Sequence, residues 1–204
     1  MGYKLNNGGA PIDMIREIIK GHSVENFVET GTSSGQSVLA ALNSGLFKNI
    51  YSVELIEGRT NPEILQQLPD NVHLYNGDSV EFLDNLKFLS PSVYWLDAHY
   101  SDSVPAADDV VECPIIDELE SILVRNGKNN LIIIDDARLF FGAPPEPHNP
   151  KKWVRFDKIV SFVKRHALYQ TQVTIVDDYI VIVPENMYDN FDAYWRGTFH
   201  ARYA

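Results

Sequence analysis

Hydrophobic residues along the 204-residue chain fall into short β-branched and aromatic runs that alternate with stretches of helical period. This alternation predicts a parallel sheet covered by helices. The candidate strands are residues 26–29, 50–54, 72–75, 93–97, 131–135, 172–176 and 179–183. The candidate helices are residues 12–19, 35–44, 62–67, 79–88, 114–124 and 153–166.

Only Asp177 and Asp178 separate the last two candidate strands. A connection this short joins antiparallel neighbours, so the last strand is expected to run against the others. The predicted fold class is therefore α/β, a Rossmann-like doubly wound sheet of seven strands that is otherwise parallel. The length favours a single domain over residues 1–204, with its core at about 25–184.

Two connections are longer than most loops in this class. Residues 100–112 are acidic, and residues 137–152 carry four prolines. They follow the fourth and fifth strands, at the sheet edge where ligands bind in open α/β folds, so they are either lids or solvated connections. The aromatic tail, residues 185–204, is expected to pack on the domain or on a second subunit in a homodimer.

Composition narrows the classes of partner. The chain has 17 Lys and Arg against 28 Asp and Glu, a net charge of −11, which disfavours nucleic acids and anionic membranes. The single cysteine, Cys113, cannot form an internal disulfide, as is typical of a reducing compartment. No signal-peptide pattern or long apolar run is present. We expect a cytoplasmic protein that acts on a small-molecule substrate.

The segment ETGTSSG, residues 29–35, turns from the first strand into a helix. Gly31 permits a tight turn or a close backbone approach, and Gly35 opens the helix. The amides of residues 32–36 are expected to meet a polar ligand, although such a turn can also be only a turn. The spacing matches neither the dinucleotide nor the triphosphate fingerprint.

Acidic residues follow this turn in a suggestive order. Glu54 ends the second strand about 20 residues later, where a carboxylate can accept from both hydroxyls of a ribose. Asp78 follows the third strand and either contacts the same ligand or, with Ser79, caps the next helix.

These segments together resemble the class I S-adenosylmethionine-dependent methyltransferases over residues 25–184: ETGTSSG at 29–35, SVEL at 52–55, GDS at 77–79, WLD at 95–97 and the terminal hairpin. The resemblance implies that S-adenosylmethionine binds with its methionine part at the glycine turn, its ribose at Glu54 and its adenine at Asp78. The cofactor residues expected in full are Glu29, Gly31, Thr32, Ser33, Gly35, Ser37, Glu54, Asp78, Ser79 and Asp97.

Asp97 ends the fourth strand, and Asp135 and Asp136 end the fifth. Neighbouring parallel strands would bring the three carboxylates together. Two unit charges 4 Å apart repel by about 4 kcal/mol at an effective dielectric of 20, so the cluster needs a cation or protons. Magnesium would meet that need. Alternatively, these acids cap helices or pair with Arg138 and Lys151.

The same three aspartates resemble the metal site of catechol-type O-methyltransferases and, more faintly, of macrocin-type sugar O-methyltransferases. The catechol-type pattern has asparagine where this chain has Asp136, and a general-base lysine where it has Tyr100. His99, two residues after Asp97, is then a candidate base or further metal ligand.

The function expected from these residues is metal-assisted O-methylation of a small polar hydroxyl compound, with His99 and Asp97 as catalytic residues. Two alternatives stay open. One is a metal-dependent hydrolase that uses Asp97, His99, Asp135 and Asp136 to activate water. The other is a binding module with a methyltransferase-like fold and no turnover.

Overall fold

The protein is described from a computed structural model that covers residues 9–61, 68–87, 91–99, 111–126, 129–142, 146 and 148–203. The strands are β1 Asn26–Thr30, β2 Asn49–Glu54, β3 Val72–Asn76, β4 Ser92–Leu96, β5 Leu131–Ile134, β6 Thr171–Val176 and β7 Tyr179–Pro184. The helices are α1 Ile12–Ile18, α2 Gln36–Ser44, α3 Ser79–Asn85, α4 Ile115–Glu120, α5 Phe156–His166 and α6 Tyr188–Tyr203.

The seven strands form one sheet in the order β3-β2-β1-β4-β5-β7-β6. β3, β2, β1, β4 and β5 pair in parallel, whereas β7 is antiparallel to both β5 and β6. The predicted fold class is therefore confirmed, including the reversed last strand. β7 lies between β5 and β6, a placement that the sequence pattern had not specified.

Two hydrophobic cores cover the two faces of the sheet. One core packs α1, α2 and α6 against residues such as Phe27 and Trp95, and the other packs α3, α4 and α5 against Val28 and Tyr94. Successive residues of a strand thus enter opposite cores, and the central strands β1, β4 and β5 are buried along their whole length. This two-sided burial explains why β4 and β5 are almost entirely apolar in sequence.

Three predicted helices differ from the observed ones, and the first of them, expected at 79–88, ends at Asn85. The helix expected at 114–124 is α-helical to Glu120 and continues as a π-helical turn, Ser121–Asn126. The helix expected from residue 153 begins at Phe156, because Trp153 and Arg155 have an extended backbone. The helix expected at 62–67 lies outside the described residues.

Polar side chains cross the sheet at the amino ends of its central strands. Asn49 donates to Asn26 at 3.1 Å, Asn26 donates to Ser92 at 3.3 Å, and the Ser92 amide donates to Asn130 at 2.9 Å. These bonds satisfy polar groups that would otherwise be costly to bury. The hydrogen bonds at the amino ends of the strands are therefore structural, and the candidate ligand residues lie at the carboxyl ends.

The aromatic tail forms α6 and packs against α1. The Asn190 side-chain amide donates to the backbone oxygens of Ile18 at 2.9 Å and Lys20 at 2.7 Å, and Phe191 is buried. The expectation that the tail packs on its own domain is confirmed, while a second subunit stays a prediction. Within the described ranges, none of the helices has the length and apolar character needed to cross a bilayer.

Candidate functional site

A cleft opens at the carboxyl ends of β1, β2, β3 and β4, where the predicted ligand residues lie. Its lining consists of Gly31, Ser33, Val53, Glu54, Leu55, Ile56, Arg59, Gly77, Asp78, Ser79, Asp97, Ala98, His99, Val111 and Pro114. The structure thus brings together six of the predicted cofactor residues, from the carboxyl ends of four strands. Glu29, Thr32, Gly35 and Ser37 are not part of this lining.

Gly31 forms the point where the first loop meets the fourth. Its φ is +85°, and a Cβ at this position would lie 2.2 Å from the backbone oxygen of Asp97. Only glycine tolerates both the left-handed backbone and this close approach. The glycine therefore keeps the turn in direct contact with the residue after β4.

Glu54 connects the first loop to the second. One carboxylate oxygen accepts the Ser33 amide at 2.7 Å and the other accepts the Ile56 amide at 3.0 Å. Ser33 itself has a φ of +46°, which is uncommon for a residue with a side chain. Each carboxylate oxygen retains a second lone pair, so Glu54 can still accept hydrogen bonds from a ligand in the cleft.

Three of the backbone amides predicted to meet a ligand, those of Thr32, Ser33 and Gly35, donate to acceptors within the protein instead. The Gly31 and Thr32 amides donate to the Val53 oxygen at 2.9 and 3.1 Å, and the Gly35 amide donates to the Thr32 oxygen at 2.8 Å. The turn is therefore bonded to β2 and to itself. Within the turn, only Gly31 and Ser33 are part of the cleft lining.

Glu29, Thr32 and Ser37 lie beneath the turn in a buried polar group with Ser52. Ser52 donates to Glu29 at 2.5 Å and lies 2.6 Å from the Thr32 hydroxyl, while Ser37 accepts the Ala10 amide at 3.0 Å. Burial raises the pKa of Glu29 to about 8, although the Ser52 and Ser37 hydroxyls act in the opposite direction. The carboxyl group of Glu29 therefore supports the loop in its neutral form near pH 7.

Asp78 caps α3, which confirms the helix-cap alternative for this residue. Its Oδ1 accepts the Val80 amide at 2.9 Å and the Glu81 amide at 3.0 Å. The side chain is nevertheless exposed in the lining of the cleft, and the cap uses only its Oδ1. Capping and ligand contact are therefore compatible here.

His99 lies between two of the aspartates that follow β4 and β5, Asp97 and Asp136. It is buried, and its Nε2 lies 3.3 Å from Asp136 Oδ2 and 4.0 Å from Asp97 Oδ1. Burial lowers the pKa of His99, but the hydrogen bond with Asp136 and the Asp97 charge outweigh it and raise the pKa. Burial raises the pKa of Asp97 to about 7, with His99 lowering it and Asp135 raising it.

Arg138 provides a second cation for the same group. It donates to Asp136 Oδ1 at 2.7 Å and also pairs with Asp178 at the tip of the β6–β7 hairpin. Burial raises the pKa of Asp136, but its bonds to His99 and Arg138 outweigh burial and hold the pKa below its usual value. The reversed last strand thus contributes directly to the electrostatics of this edge.

The magnesium site predicted at Asp97, Asp135 and Asp136 needs correction. In the part of the chain that the structure describes, no three His, Cys, Asp or Glu side chains are grouped so that they could hold a metal ion. Both oxygens of Asp136 face His99 and Arg138, and Asp135 Oδ1 accepts the Asp136 amide at 2.7 Å. His99 and Arg138 already contact both oxygens of Asp136, so the described side chains do not form the three-carboxylate site that the sequence predicts.

The proline-containing loop is anchored beside His99. Trp153 donates to Glu112 at 3.0 Å, the Asn149 amide donates to the same oxygen at 3.1 Å, and the Trp153 ring contacts the imidazole with centroids 5.6 Å apart. Phe140 contacts the other part of the ring at 5.9 Å. Residues 100–110 of the acidic loop lie outside the described residues.

Sequence reasoning missed the apolar rim of the cleft. Leu55, Ile56 and Val111 line it while 53%, 45% and 61% exposed. The signal was two large apolar residues directly after the strand-ending Glu54, where a solvated loop would be polar.

The comparisons with known proteins agree on the architecture. No protein-family model matches the sequence, and no curated protein matches it. The methyltransferase domain of bacterial CtHen1 superposes with a TM-score of 0.53 at 11% identity, covering 85% of this chain and 96% of that one. The chain has a class I methyltransferase fold. A Nostoc punctiforme protein described as an O-methyltransferase also has a TM-score of 0.53, at 13% identity, covering 85% of this chain and 55% of that one.

Identities of 11% and 13% show the methyltransferase fold alone, so the reaction is inferred from the residues of the cleft. In this methyltransferase fold, the cleft lies where the strand order turns from β1 to β4, at the switch point of the sheet. Ligands of doubly wound sheets bind at such points.

Proposed function

We propose that the protein is an S-adenosylmethionine-dependent methyltransferase that methylates a hydroxyl group of a small polar molecule. The observation that carries the proposal is the cleft itself, in which Glu54 is fixed by two backbone amides beside an apolar rim and opposite Asp97. The methyltransferase fold and the order of Gly31, Glu54 and Asp78 along the cleft support it.

The residues present fit the cofactor by their chemistry. Glu54 would hold the ribose hydroxyls, Leu55 and Ile56 would pack on the adenine, and Asp78 would accept from it. When bound, S-adenosylmethionine supplies an electrophilic methyl group on its sulfonium. The net charge of −11 supports a small acceptor over a polynucleotide.

Asp97 is the group best placed to take the proton of the acceptor hydroxyl. It lines the cleft with about a third of its side chain exposed, and burial raises its pKa to about 7. A base with a pKa near the working pH is effective in proton transfer. The His99 side chain has no exposed surface and its Nε2 lies 4.0 Å from Asp97 Oδ1, so His99 acts on Asp97 as a neighbouring charge.

The test is calorimetric binding of S-adenosylmethionine and S-adenosylhomocysteine to the wild type, Glu54→Gln and a control. Glu54→Gln removes the charge that accepts from the ribose, which should cost about 1–3 kcal/mol, or roughly 5- to 150-fold in affinity. Glu57→Gln, an exposed position outside the lining, is the matched control and should bind as the wild type does. Equal affinity in all three proteins would remove the ribose assignment, and no binding to the wild type would remove the proposal.

A further inference from the structure

Glu118 is a buried carboxyl group with no assigned partner. It lies in α4 and has no exposed surface, and its helical spacing from Ile115 and Ile122 places it on the apolar face of the helix. Neither carboxyl oxygen has a hydrogen-bond partner among the described residues. Fully buried glutamates are rare unless they are paired, so this position calls for a physical explanation.

Two other polar atoms without partners lie on the elements around it. They are Thr30 Oγ1 at the end of β1 and His99 Nδ1 after β4, and both residues are buried. Burial raises the pKa of Glu118 to about 7, while the Ser79 and Thr30 hydroxyls and the His99 charge lower it. These groups are therefore neighbours of the carboxyl, although no hydrogen bond of normal geometry joins them to it within the described chain.

The surroundings of His99 are asymmetric. Its Nε2 faces Asp136 at 3.3 Å and Asp97 at 4.0 Å, and the Phe140 and Trp153 rings pack against the imidazole. Its Nδ1, on the other side, has no partner in the described residues. The protonation of one imidazole nitrogen is set by the hydrogen bonds that the ring makes, so an acceptor at Nδ1 would decide whether that nitrogen carries a proton.

Buried polar atoms without protein partners normally bind ordered water, which makes about three hydrogen bonds. We propose that Thr30, Glu118 and His99 enclose a buried water site, and that this water joins Glu118 to His99 Nδ1. Glu118 is then a positioning residue: it keeps Nδ1 protonated, so that both ring nitrogens donate and the imidazolium faces Asp97. The inference uses the proposed function only in assigning Asp97 to the acceptor end of the cleft.

The test measures the nitrogen signals of His99 directly. The protein is labelled with ¹⁵N-histidine, His99 is assigned with the variant His99→Gln, and ¹⁵N spectra are recorded at one pH near 7. In the wild type, Nδ1 and Nε2 should both give signals of protonated nitrogens. In Glu118→Leu the Nδ1 signal should move toward that of an unprotonated nitrogen, because its acceptor is lost.

Glu120 provides the matched control, since it is an exposed carboxylate on the same helix. Glu120→Leu should leave the His99 signals unchanged. Glu118→Gln keeps the shape of the side chain and removes its charge, so it should shift Nδ1 in the same direction by less. It also serves as the deciding variant if Glu118→Leu does not fold.

The proposal is overturned if the His99 signals in the folded Glu118 variants match those of the wild type. Binding of S-adenosylhomocysteine to the same samples keeps the two proposals apart. A shifted His99 signal in a protein that does not bind this ligand would contradict the proposed function alone, and unchanged signals with normal binding would contradict only the role of Glu118.

Discussion

The contact between Gly31 and the backbone after β4 yields a sharp prediction for Gly31→Ala. The new Cβ would lie 2.2 Å from the oxygen and 2.6 Å from the carbonyl carbon of Asp97, where real Cβ atoms essentially never approach within 3.0 Å. Both atoms belong to the backbone, so no side chain can rotate away. The loop and the residue after β4 must separate.

The cost has two parts. A left-handed φ of +85° costs alanine about 1–2 kcal/mol, and overpacking a tight site costs about 1–3 kcal/mol more. Gly45→Ala is the control, because Gly45 has a φ of +66° but no atom within 4 Å of the added Cβ. It should lose only the first part, and the reduced freedom of the unfolded chain affects both variants equally.

The assay is urea unfolding followed by tryptophan fluorescence, combined with titration of S-adenosylhomocysteine. We expect Gly31→Ala to lose about 2–5 kcal/mol of unfolding free energy and most of its affinity, and Gly45→Ala to lose about 1–2 kcal/mol and bind normally. Gly31→Val should be harsher still. Equal destabilisation of the two alanine variants, or normal binding by Gly31→Ala, would refute the close-approach argument.

Three further predictions follow from the buried polar groups. Burial raises the pKa of Glu29 from 4.5 to about 8, so between these pH values Glu29 ionises in the unfolded chain but not in the folded one, and the unfolding free energy falls as pH rises. In Glu29→Gln the unfolding free energy should fall less steeply with pH. An unchanged slope would exclude Glu29 as the source of the pH dependence. Glu112→Leu leaves the Trp153 N–H unpaired, so unfolding should require about 1–3 kcal/mol less, and a wild-type urea midpoint would argue against this anchor. Calorimetric titration with magnesium chloride should give no saturable binding below millimolar concentration, since His99 and Arg138 already contact both oxygens of Asp136; a tight site would restore the sequence prediction.

The sequence predicted the strands well, because the central ones are buried on both faces and end at polar residues. β1, β2 and β7 lie within one residue of their expected bounds. The aspartates after β4 and β5 were correctly placed at one edge, since parallel strands end together. The pairing with Arg138, one of the alternatives that the sequence left open, is observed at Asp136, whereas the contact of His99 with Asp136 depends on which atoms face one another and was not predicted.

Glu118 carries a signal in the sequence that the sequence analysis did not use. The spacing of Ile115, Glu118, Leu119 and Ile122 puts the glutamate on the buried face of its helix. A charged residue at an apolar helical position is a signal of a buried polar site, but the rest of that site comes from β1 and the loop after β4. Those partners are distant in sequence, so only the fold brings them together.

The measurement that tests the central claim most directly is a crystal structure of the protein with S-adenosylhomocysteine. The proposed function predicts the ligand in the cleft between Gly31 and Asp78, with its ribose hydroxyls on Glu54 and its adenine against Leu55 and Ile56. Its sulfur should point toward Asp97. A ligand bound elsewhere, or an empty cleft at saturating concentration, would contradict the proposed function.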